Sequence, residues 1–446
     1  MDFMQARRYL DVFLIVTALG VLQVGCDRST APAAQKASNE DGVSMNSFAE
    51  QYVRLTLQVG QHDADYVDAY YGPPEWKPSG EKTSLESLRK QAADLLQQVS
   101  AAPEPNDDMI RLRHQYLRTQ LTAMNARLRM LAGERLSFDE ESRALYDATA
   151  PVLPESQFQQ VLDELEARFP GKGPVVERYE RWRRDFVIPK DRLDAVFRTA
   201  IGACRERTVA HLQLPADESF TVEYVTGKSW SGYNWYQGSF RSVIQVNTDL
   251  PIYIDRAVDL ACHEGYPGHH VYNVLLEKNL VRDRGWMEFT VYPLFSPQSL
   301  IAEGTANYGI QVAFPGEDRT AFEEKVLFPA AGLDPSRARE YYTVQALADR
   351  LSYAGNEAAR RYINREIDVK QAAEWLQRYA LMPTDRAAQR VRFFDQYRSY
   401  VINYNLGKDM TRDFIEARAQ GDPQKRWHEF GQLLSSPRLP SGLRNR

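Results

Sequence analysis

Three of the seven histidines in the chain fall within eight residues, and this cluster is the strongest chemical signal in the sequence. The segment reads His263-Glu264-Gly265-Tyr266-Pro267-Gly268-His269-His270. A catalytic zinc site needs imidazole ligands, a third protein ligand and an open position for water, with a nearby carboxylate that accepts a proton. The segment therefore predicts one zinc ion held by His263 and by His269 or His270, with Glu264 as the general base.

The spacing of these histidines departs from the H-E-x-x-H motif, which places two zinc ligands on one face of a helix. Pro267 occupies the position of the second histidine. On an unbroken helix, His269 and His270 would lie about 9 and 10.5 Å along the axis from His263, too far to share an ion. Because Pro267 lacks a backbone donor and Gly268 is conformationally free, we predict a break that returns one histidine to His263.

A third ligand is expected from a neighbouring helix, and residues 297–308 form a suitable one. This segment begins at a proline, contains small residues that permit close packing, and carries Glu303 among apolar neighbours. A buried glutamate needs a cation, either a metal or an arginine, and we predict the metal. Asp259 lies one helical turn before His263, and it either accepts the imidazole N–H or is a solvent-exposed acid.

The elements that must position these side chains are mostly helical. Apolar residues recur at helical spacing from Ile110 to Leu131 and again from Phe158 to Phe169. Alternating β-formers predict strands at 219–225 and 242–247. We therefore predict a mainly α fold with a small embedded β-sheet next to the active-site helix.

The predicted sheet also suggests how a substrate would bind. Residues 243–247 are expected to offer an unpaired strand edge to an extended peptide. Tyr233, Trp235 and Tyr236 lie between the two predicted strands. These aromatic side chains either line the cleft or pack the sheet.

Composition excludes several classes of protein. The 446 residues are 43% hydrophobic and 26% charged, which is ordinary for a globular chain. The net charge of −5, without a basic cluster, argues against a nucleic-acid partner. Three cysteines are too few for a disulfide scaffold. Cys204 falls on an apolar helical face, so we expect a buried free thiol rather than a bridge to Cys262.

The N-terminus predicts export. Arg7 and Arg8 precede an apolar stretch at 12–24 that has the length of a signal-peptide core and is too short for a comfortable membrane span. The stretch ends at Cys26 and resembles a bacterial lipobox, in which that cysteine is lipidated; the alternative is an ordinary cleaved signal. We predict a lipoprotein signal peptide at 1–25 and a flexible tether at 26–45.

The histidine segment resembles the H-E-x-x-P-G-H-H signature of the bacterial domain-of-unknown-function family 885, whose members are often envelope lipoproteins. A second family block, E-G-W-A-x-Y-x-E, is matched at Glu303, Gly304, Ala306 and Tyr308, while Thr305 and Ile310 depart from it. A third block survives at Tyr404 and Gly407. The resemblance spans about 240 to 410.

The resemblance implies a helical, zincin-like metallopeptidase of the gluzincin type. From the helical pattern at 46–213 and by continuity, we predict a helical N-terminal lobe over those residues and a catalytic lobe at 214–446. It favours His269 as the second zinc ligand, and the unused histidine would donate a hydrogen bond to the developing oxyanion. Tyr404 would stabilise the tetrahedral intermediate. The substrate would be a peptide or a related amide, and the protein would contact the membrane only through its lipid.

Two alternatives to this peptidase remain open. The altered second block motivates an inactive zincin scaffold that serves as an envelope binding protein. A zinc amidase acting on cell-wall peptides would differ from the peptidase only in its substrate.

Overall fold

The structure is a computed structural model that describes residues 33–228 and 230–444, with side chains from residue 45 onward. The predicted signal peptide and Cys26 lie outside the described residues. Helix α1 covers Ala33–Gly60, so the prediction of a flexible tether is wrong from residue 33 onward. Pro32 is the last proline of this region, and the alanine, glutamine and lysine residues that follow it are good helix formers.

The described chain is mainly helical, as predicted. The further helices are α2 Leu85–Ala101, α3 Asp108–Leu131, α4 Phe138–Tyr146, α5 Glu155–Arg168, α6 Val175–Arg183, α7 Leu193–Val209, α8 Asp255–Leu260, α9 His269–Leu276, α10 Pro297–Ala313, α11 Asp318–Phe322, α12 Phe328–Ala331, α13 Ala338–Asp349, α14 Ala354–Ile363, α15 Val369–Tyr379, α16 Thr384–Tyr397, α17 Ile402–Ala419 and α18 Pro423–Leu434. π-Helical segments occupy Ala261–Gly265, Glu277–Arg282 and Glu323–Leu327.

Two small sheets are embedded among these helices. Their strands are β1 Val67–Tyr70, β2 Ser219–Val225, β3 Gly232–Gly238, β4 Arg241–Asn247 and β5 Val291–Pro293. β1 pairs with β5, whereas β4 lies in the centre of the order β2-β4-β3. The predicted strands are confirmed, but the prediction that 243–247 offers a free edge is wrong. β4 is parallel to β2 and antiparallel to β3, so both of its edges are hydrogen-bonded.

Residues 44–446 form one compact unit, and helices from before and after residue 213 share its large apolar core. The predicted stripe on α3 is buried at Leu117, Leu121 and Leu128. His114 lies on the same helix, where a ring nitrogen contacts the Val99 carbonyl at 2.7 Å, so this histidine is a packing residue. In the described residues, no helix combines the length and apolar character that a membrane crossing requires.

Helices α10 and α17 approach each other backbone to backbone. A Cβ on Gly304 would lie 2.4 Å from the Gly407 carbonyl oxygen, and a Cβ on Gly407 would lie 2.7 Å from the Leu300 carbonyl oxygen. Side chains at these two positions would push the helices apart. The small residues predicted to allow close packing of 297–308 therefore do so, and they bring the side chains of α10 and α17 together.

Cys204 on α7 is bonded to Cys262 in the π-helical segment, so the prediction of a free thiol is wrong. Both cysteines are fully buried, and their Cα atoms are 5.7 Å apart. The apolar pattern of α7 correctly indicated that Cys204 is buried. The pattern did not show that this face of α7 packs against the residue that precedes His263.

We expect the disulfide to stabilise the fold. Replacing both cysteines by serine should lower the free energy of unfolding by about 4 kcal/mol, because the bridge closes a long loop in the unfolded chain. Guanidinium unfolding followed by circular dichroism measures this change. The reduced wild-type protein is the control and should match the double variant, whereas equal midpoints for the oxidised wild type and the variant would contradict the expectation.

Candidate metal centre

The histidine segment is broken where the sequence predicts. Helix α8 continues into the π-helical segment, the chain turns at 266–268, and α9 begins at His269. A Cβ on Gly268 would lie 1.9 Å from the His263 carbonyl oxygen, so only glycine fits this turn. The break allows His269 to fold back onto His263, although His269 comes six positions later in the chain.

One group of side chains, which we call the metal-ligand triad, converges on a single point. Its members are His263, His269 and Glu303. One ligand atom from each lies within 4.8 Å of the others. The two histidine Nε2 atoms are 3.1 Å apart, and Glu303 Oε2 is 3.3 Å from the His263 nitrogen and 3.8 Å from the His269 nitrogen. Tetrahedral zinc with bonds of about 2.0–2.2 Å separates its ligand atoms by roughly 3.3–3.6 Å. The three atoms therefore match three corners of such a tetrahedron.

The polar atoms of this triad are poorly satisfied by the protein itself. Glu303 Oε2 is buried and lacks a well-directed hydrogen bond. Burial opposes ionisation of Glu303, but the close approach of the His263 and His269 imidazoles outweighs it and holds its pKa far below the usual range. Burial also disfavours the His263 imidazolium, yet Glu264 and Glu303 raise its pKa to about 8. A divalent cation would satisfy this donor set, so the residues fit the zinc that the sequence predicts.

Glu303 projects from α10 toward the imidazoles and is held by a neighbour on the other side. The Tyr400 hydroxyl donates to Glu303 Oε1 at 2.8 Å, which leaves Oε2 directed at the histidines. No arginine forms an ion pair with Glu303 among the described residues. The arginine alternative is therefore wrong for the described residues, and the metal stays a prediction.

Asn307, not Asp259, orients His263. His263 Nδ1 lies 3.0 Å from Asn307 Oδ1, and the Asn307 amide nitrogen donates to the Tyr404 carbonyl oxygen at 3.0 Å. This arrangement makes Nδ1 the protonated nitrogen and turns the Nε2 lone pair toward the triad. Asp259 instead pairs with Arg256 at 3.2 Å and Arg319 at 2.8 Å. The predicted role of Asp259 is wrong because nearby cations bind its carboxylate.

We expect Asn307→Ala to weaken zinc binding 10- to 100-fold, roughly the effect of removing an outer-shell partner of a metal-bound histidine. Competition with a chromophoric chelator measures the affinity. Gln311→Ala is the matched control, because Gln311 lies one turn later on α10, also lines the cleft and is exposed. Equal affinities for the two variants would show that Asn307 does not orient the ligand.

His270 does not join the triad, which removes it as a metal ligand and as an oxyanion donor. It is fully buried; Nδ1 lies 2.9 Å from Ser242 Oγ and Nε2 lies 2.9 Å from Glu218 Oε2. Both ring nitrogens are therefore engaged. His269 and His270 are adjacent on α9 and so point about 100° apart, and only His269 faces His263.

Glu264 lies beside the triad in a confined position. Its side chain is buried, with Oε1 4.0 Å from His263 Nε2. The Asn234 amide of β3 donates to the Glu264 carbonyl oxygen at 2.8 Å. A Cβ on Gly232 of the same strand would lie 2.9 Å from Glu264 Oε1, so a larger residue there would displace this carboxylate. β3 therefore holds the backbone of Glu264 and lies against the carboxylate that the sequence assigns as general base.

The metal-ligand triad opens into a cleft of about 700 Å³ that Glu264 and Tyr404 also line. Burial raises the pKa of Tyr404 well above its usual range, and Glu303 raises it further, so the phenol keeps its proton. Tyr404 is thus a hydrogen-bond donor beside the triad. Its predicted role as an oxyanion donor is compatible with this position and stays a prediction.

Sequence reasoning missed three residues of the site. Asn307 follows Glu303 by one turn of α10, and that spacing was an available signal. Tyr400 precedes Tyr404 by four residues and lies within the third family block, but it is not one of the two residues that match that block. Asp68 of β1 also lines the cleft; burial raises its pKa to about 7, with Glu303 and Glu264 adding to the shift and His269 opposing it. Nothing in the sequence near Asp68 indicates this position.

The aromatic residues of β3 divide between the two predicted roles. Tyr233 lines the cleft. Tyr236 is buried, packs edge-on against Tyr71 and donates to Glu277 Oε2 at 2.5 Å. Trp235 is 41% exposed and packs against Tyr233, with ring centroids 4.5 Å apart and ring planes 38° from parallel.

No family model matches the chain, and no curated protein matches it. The resemblance to family 885 therefore rests on the motif residues quoted above. One solved structure, "the putative lipoprotein from Colwellia psychrerythraea", aligns with a TM-score of 0.48 and 16% identity, covering 83% of this chain and 69% of that chain. Another, "a putative lipoprotein of unknown function from Shewanella oneidensis", aligns with a TM-score of 0.46 and 14% identity, covering 80% of this chain and 72% of that chain. With TM-scores below 0.5, neither likeness supports a statement about what this chain does or where it is located.

Proposed function

We propose that the protein is a zinc-dependent metallopeptidase that hydrolyses peptide or related amide bonds at the bacterial envelope. The observation that carries the proposal is the convergence of His263, His269 and Glu303 on one point, with Glu264 beside them in an open cleft. Two imidazoles and one carboxylate are a frequent protein ligand set of catalytic zinc. Three ligands leave the fourth position of a tetrahedral ion for water.

Zinc in such a site lowers the pKa of water to about 7 and polarises the substrate carbonyl. Glu264 accepts a proton as the water oxygen bonds to the carbonyl carbon of the substrate. Glu264 then passes that proton to the amide nitrogen, and the C–N bond breaks. As the C–N bond breaks, the second proton of the water moves from the new carboxyl group to the leaving nitrogen, so the products are a carboxylate and an ammonium group.

The surrounding residues support these steps by holding groups in position. Asn307 keeps the His263 tautomer that aims Nε2 at the ion, and Tyr400 leaves one Glu303 oxygen free for it. The Tyr404 phenol would donate a hydrogen bond to the oxyanion of the tetrahedral intermediate. Gly232 leaves room for the Glu264 carboxylate, so β3 and the metal-ligand triad together define the reaction space.

Other parts of the chain favour a zincin-like architecture and an exported protein. Two ligands and the base come from one broken helical segment, the third ligand comes from a neighbouring helix, and a small sheet borders them, as the family 885 resemblance implies. The lipobox-like segment ending at Cys26 predicts lipid anchoring. The Cys204–Cys262 disulfide agrees with an oxidising compartment such as the periplasm.

The proposal is tested by the metal content and the hydrolytic activity of the purified, tag-free protein. We expect about one zinc per chain by mass spectrometry of metals, its loss in His263→Ala, and cleavage of a mixed peptide library by the zinc-loaded wild type. Removing zinc with a chelator should stop cleavage, and adding zinc back should restore it. A wild type that binds no zinc, or that cleaves no peptide when loaded, would overturn the proposal.

A further inference from the structure

Two arginines of the cleft lack the carboxylate partners that the other cleft arginines have. Arg183 pairs with Asp255, and Arg319 pairs with Asp259. In the described part of the chain, no carboxylate forms an ion pair with Arg386 or Arg390, although both line the cleft. These two residues are one turn apart on α16 and therefore share a face.

The guanidinium of Arg390 is poorly solvated as well as unpaired. Its Nε is buried and has no hydrogen-bond partner. The guanidinium lies against aromatic rings, with its carbon 4.5 Å from the Phe393 centroid and 5.8 Å from the Tyr404 centroid. Burial lowers the pKa of Arg390, and burial together with Arg183 lowers the pKa of Arg386. The ligand that would stabilise such a guanidinium most is an anion, because it supplies both negative charge and acceptor oxygens.

The position of Arg390 relative to the metal-ligand triad limits how far from the scissile bond an anionic group of the substrate would lie if Arg390 bound it. Arg390 contacts the ring of Tyr404, and the Tyr404 ring lies 5.7 Å from that of Tyr400, whose hydroxyl bonds Glu303. The rings of Tyr404 and Tyr400 thus lie in series along this path from the guanidinium to Glu303. Since an extended residue spans at most about 3.6 Å, only a few substrate residues fit between the scissile bond and the anion.

We infer that Arg390, assisted by Arg386, binds the C-terminal carboxylate of a peptide, so that the proposed enzyme is a carboxypeptidase releasing one to three residues. This inference rests on the proposed function and adds its substrate class. A planar guanidinium binds a carboxylate through two parallel hydrogen bonds, which also orients the chain end. A side-chain carboxylate near the C-terminus has the same chemistry, and the experiment separates the two sources.

The test uses two matched libraries of N-acetylated hexapeptides, one with free C-terminal acids and the other with C-terminal amides. We expect the zinc-loaded wild type to cleave the free acids at least about 30-fold faster, since losing a buried charge partner has at least that effect. Mass spectrometry should show release of one to three C-terminal residues. Comparable cleavage of the amides would overturn the inference while leaving the proposed peptidase intact. Cleavage confined to amides that contain Asp or Glu would identify the side-chain source and also overturn it.

Variants of α16 test the assignment to Arg390. Arg390→Gln should lose the preference for free acids, whereas Arg390→Lys should keep part of it because the charge remains. Arg392→Gln is the matched control, since Arg392 is exposed on the same helix. Thermal unfolding checks that each variant is folded. An Arg390→Gln protein that is folded and retains the full preference would overturn the assignment.

A binding measurement keeps the inference testable if the wild type cleaves neither library. The Glu264→Gln protein, with and without Arg390→Gln, is immobilised, and the retained peptides are quantified. Selective retention of free acids that depends on Arg390 would support the inference even where the proposed hydrolysis fails. Equal retention of acids and amides would overturn it.

Discussion

Glu264→Gln is expected to reduce turnover of a peptide substrate by about 10²- to 10⁴-fold, the contribution that a general base makes to such reactions. Glutamine has nearly the same shape as glutamate but cannot accept the proton. Because Glu264 is not one of the three converging ligands, zinc content should remain about one per chain. Turnover of a cleaved library peptide and metal analysis of the same preparation measure both quantities.

Asp259→Asn is the matched control for this change. It removes a carboxylate from the same cleft, but Asp259 forms its ion pairs with Arg256 and Arg319 rather than with the metal-ligand triad. We expect this control to retain most of the wild-type turnover. If Glu264→Gln retained turnover, the catalytic role would be refuted. A different outcome is that the wild type turns over no peptide, while the wild type and Glu264→Gln bind a ligand equally well. The inactive envelope binding protein would then be the better explanation.

The variants His269→Ala and His270→Ala are expected to differ widely in their affinity for zinc. His269→Ala should weaken binding by more than about 100-fold, beyond the range of an outer-shell change, because it removes a ligand nitrogen 3.1 Å from His263 Nε2. His270→Ala should leave the affinity within about threefold of wild type. It should instead lower the free energy of unfolding by roughly 2 kcal/mol, since it removes a fully buried ring that bonds Ser242 Oγ and is one of three partners of the Glu218 carboxylate.

Chelator competition and denaturant unfolding on the two variants make this comparison. Each variant is the control for the other, because both remove one imidazole from the start of α9. A loss of zinc in His270→Ala with normal stability would contradict the assignment of His269. A His269→Ala protein that still bound zinc with wild-type affinity would refute the triad.

The chemistry of the site was largely predictable, because it depends on residue types at short range. The clustered histidines predicted a metal, and Pro267 with Gly268 predicted the break that returns His269 to His263. The neighbours of Glu303 predicted that it is buried and needs a cation. Each of these inferences uses only the local chain and the cost of burying charge.

The partners of these residues were less predictable, since partners come from distant parts of the chain. Asp259 has the spacing of a histidine partner, yet Arg319, sixty residues away in sequence, helps to bind it. Cys204 has the pattern of a core residue, yet its face meets Cys262. Strand 242–247 has the pattern of any half-buried strand, and periodicity does not show whether a strand is central or at an edge.

The sequence by itself therefore determined that the chain is mainly helical with a small sheet, and which segment carries the predicted metal chemistry. Only the tertiary structure decided that His269 rather than His270 faces His263. It also decided that Asn307 and Tyr400 hold members of the triad, and that Asp68 and Arg390 line the same cleft. The physical reason is that helical periodicity and residue type define which faces are buried. Which two buried faces meet depends on how the whole chain packs.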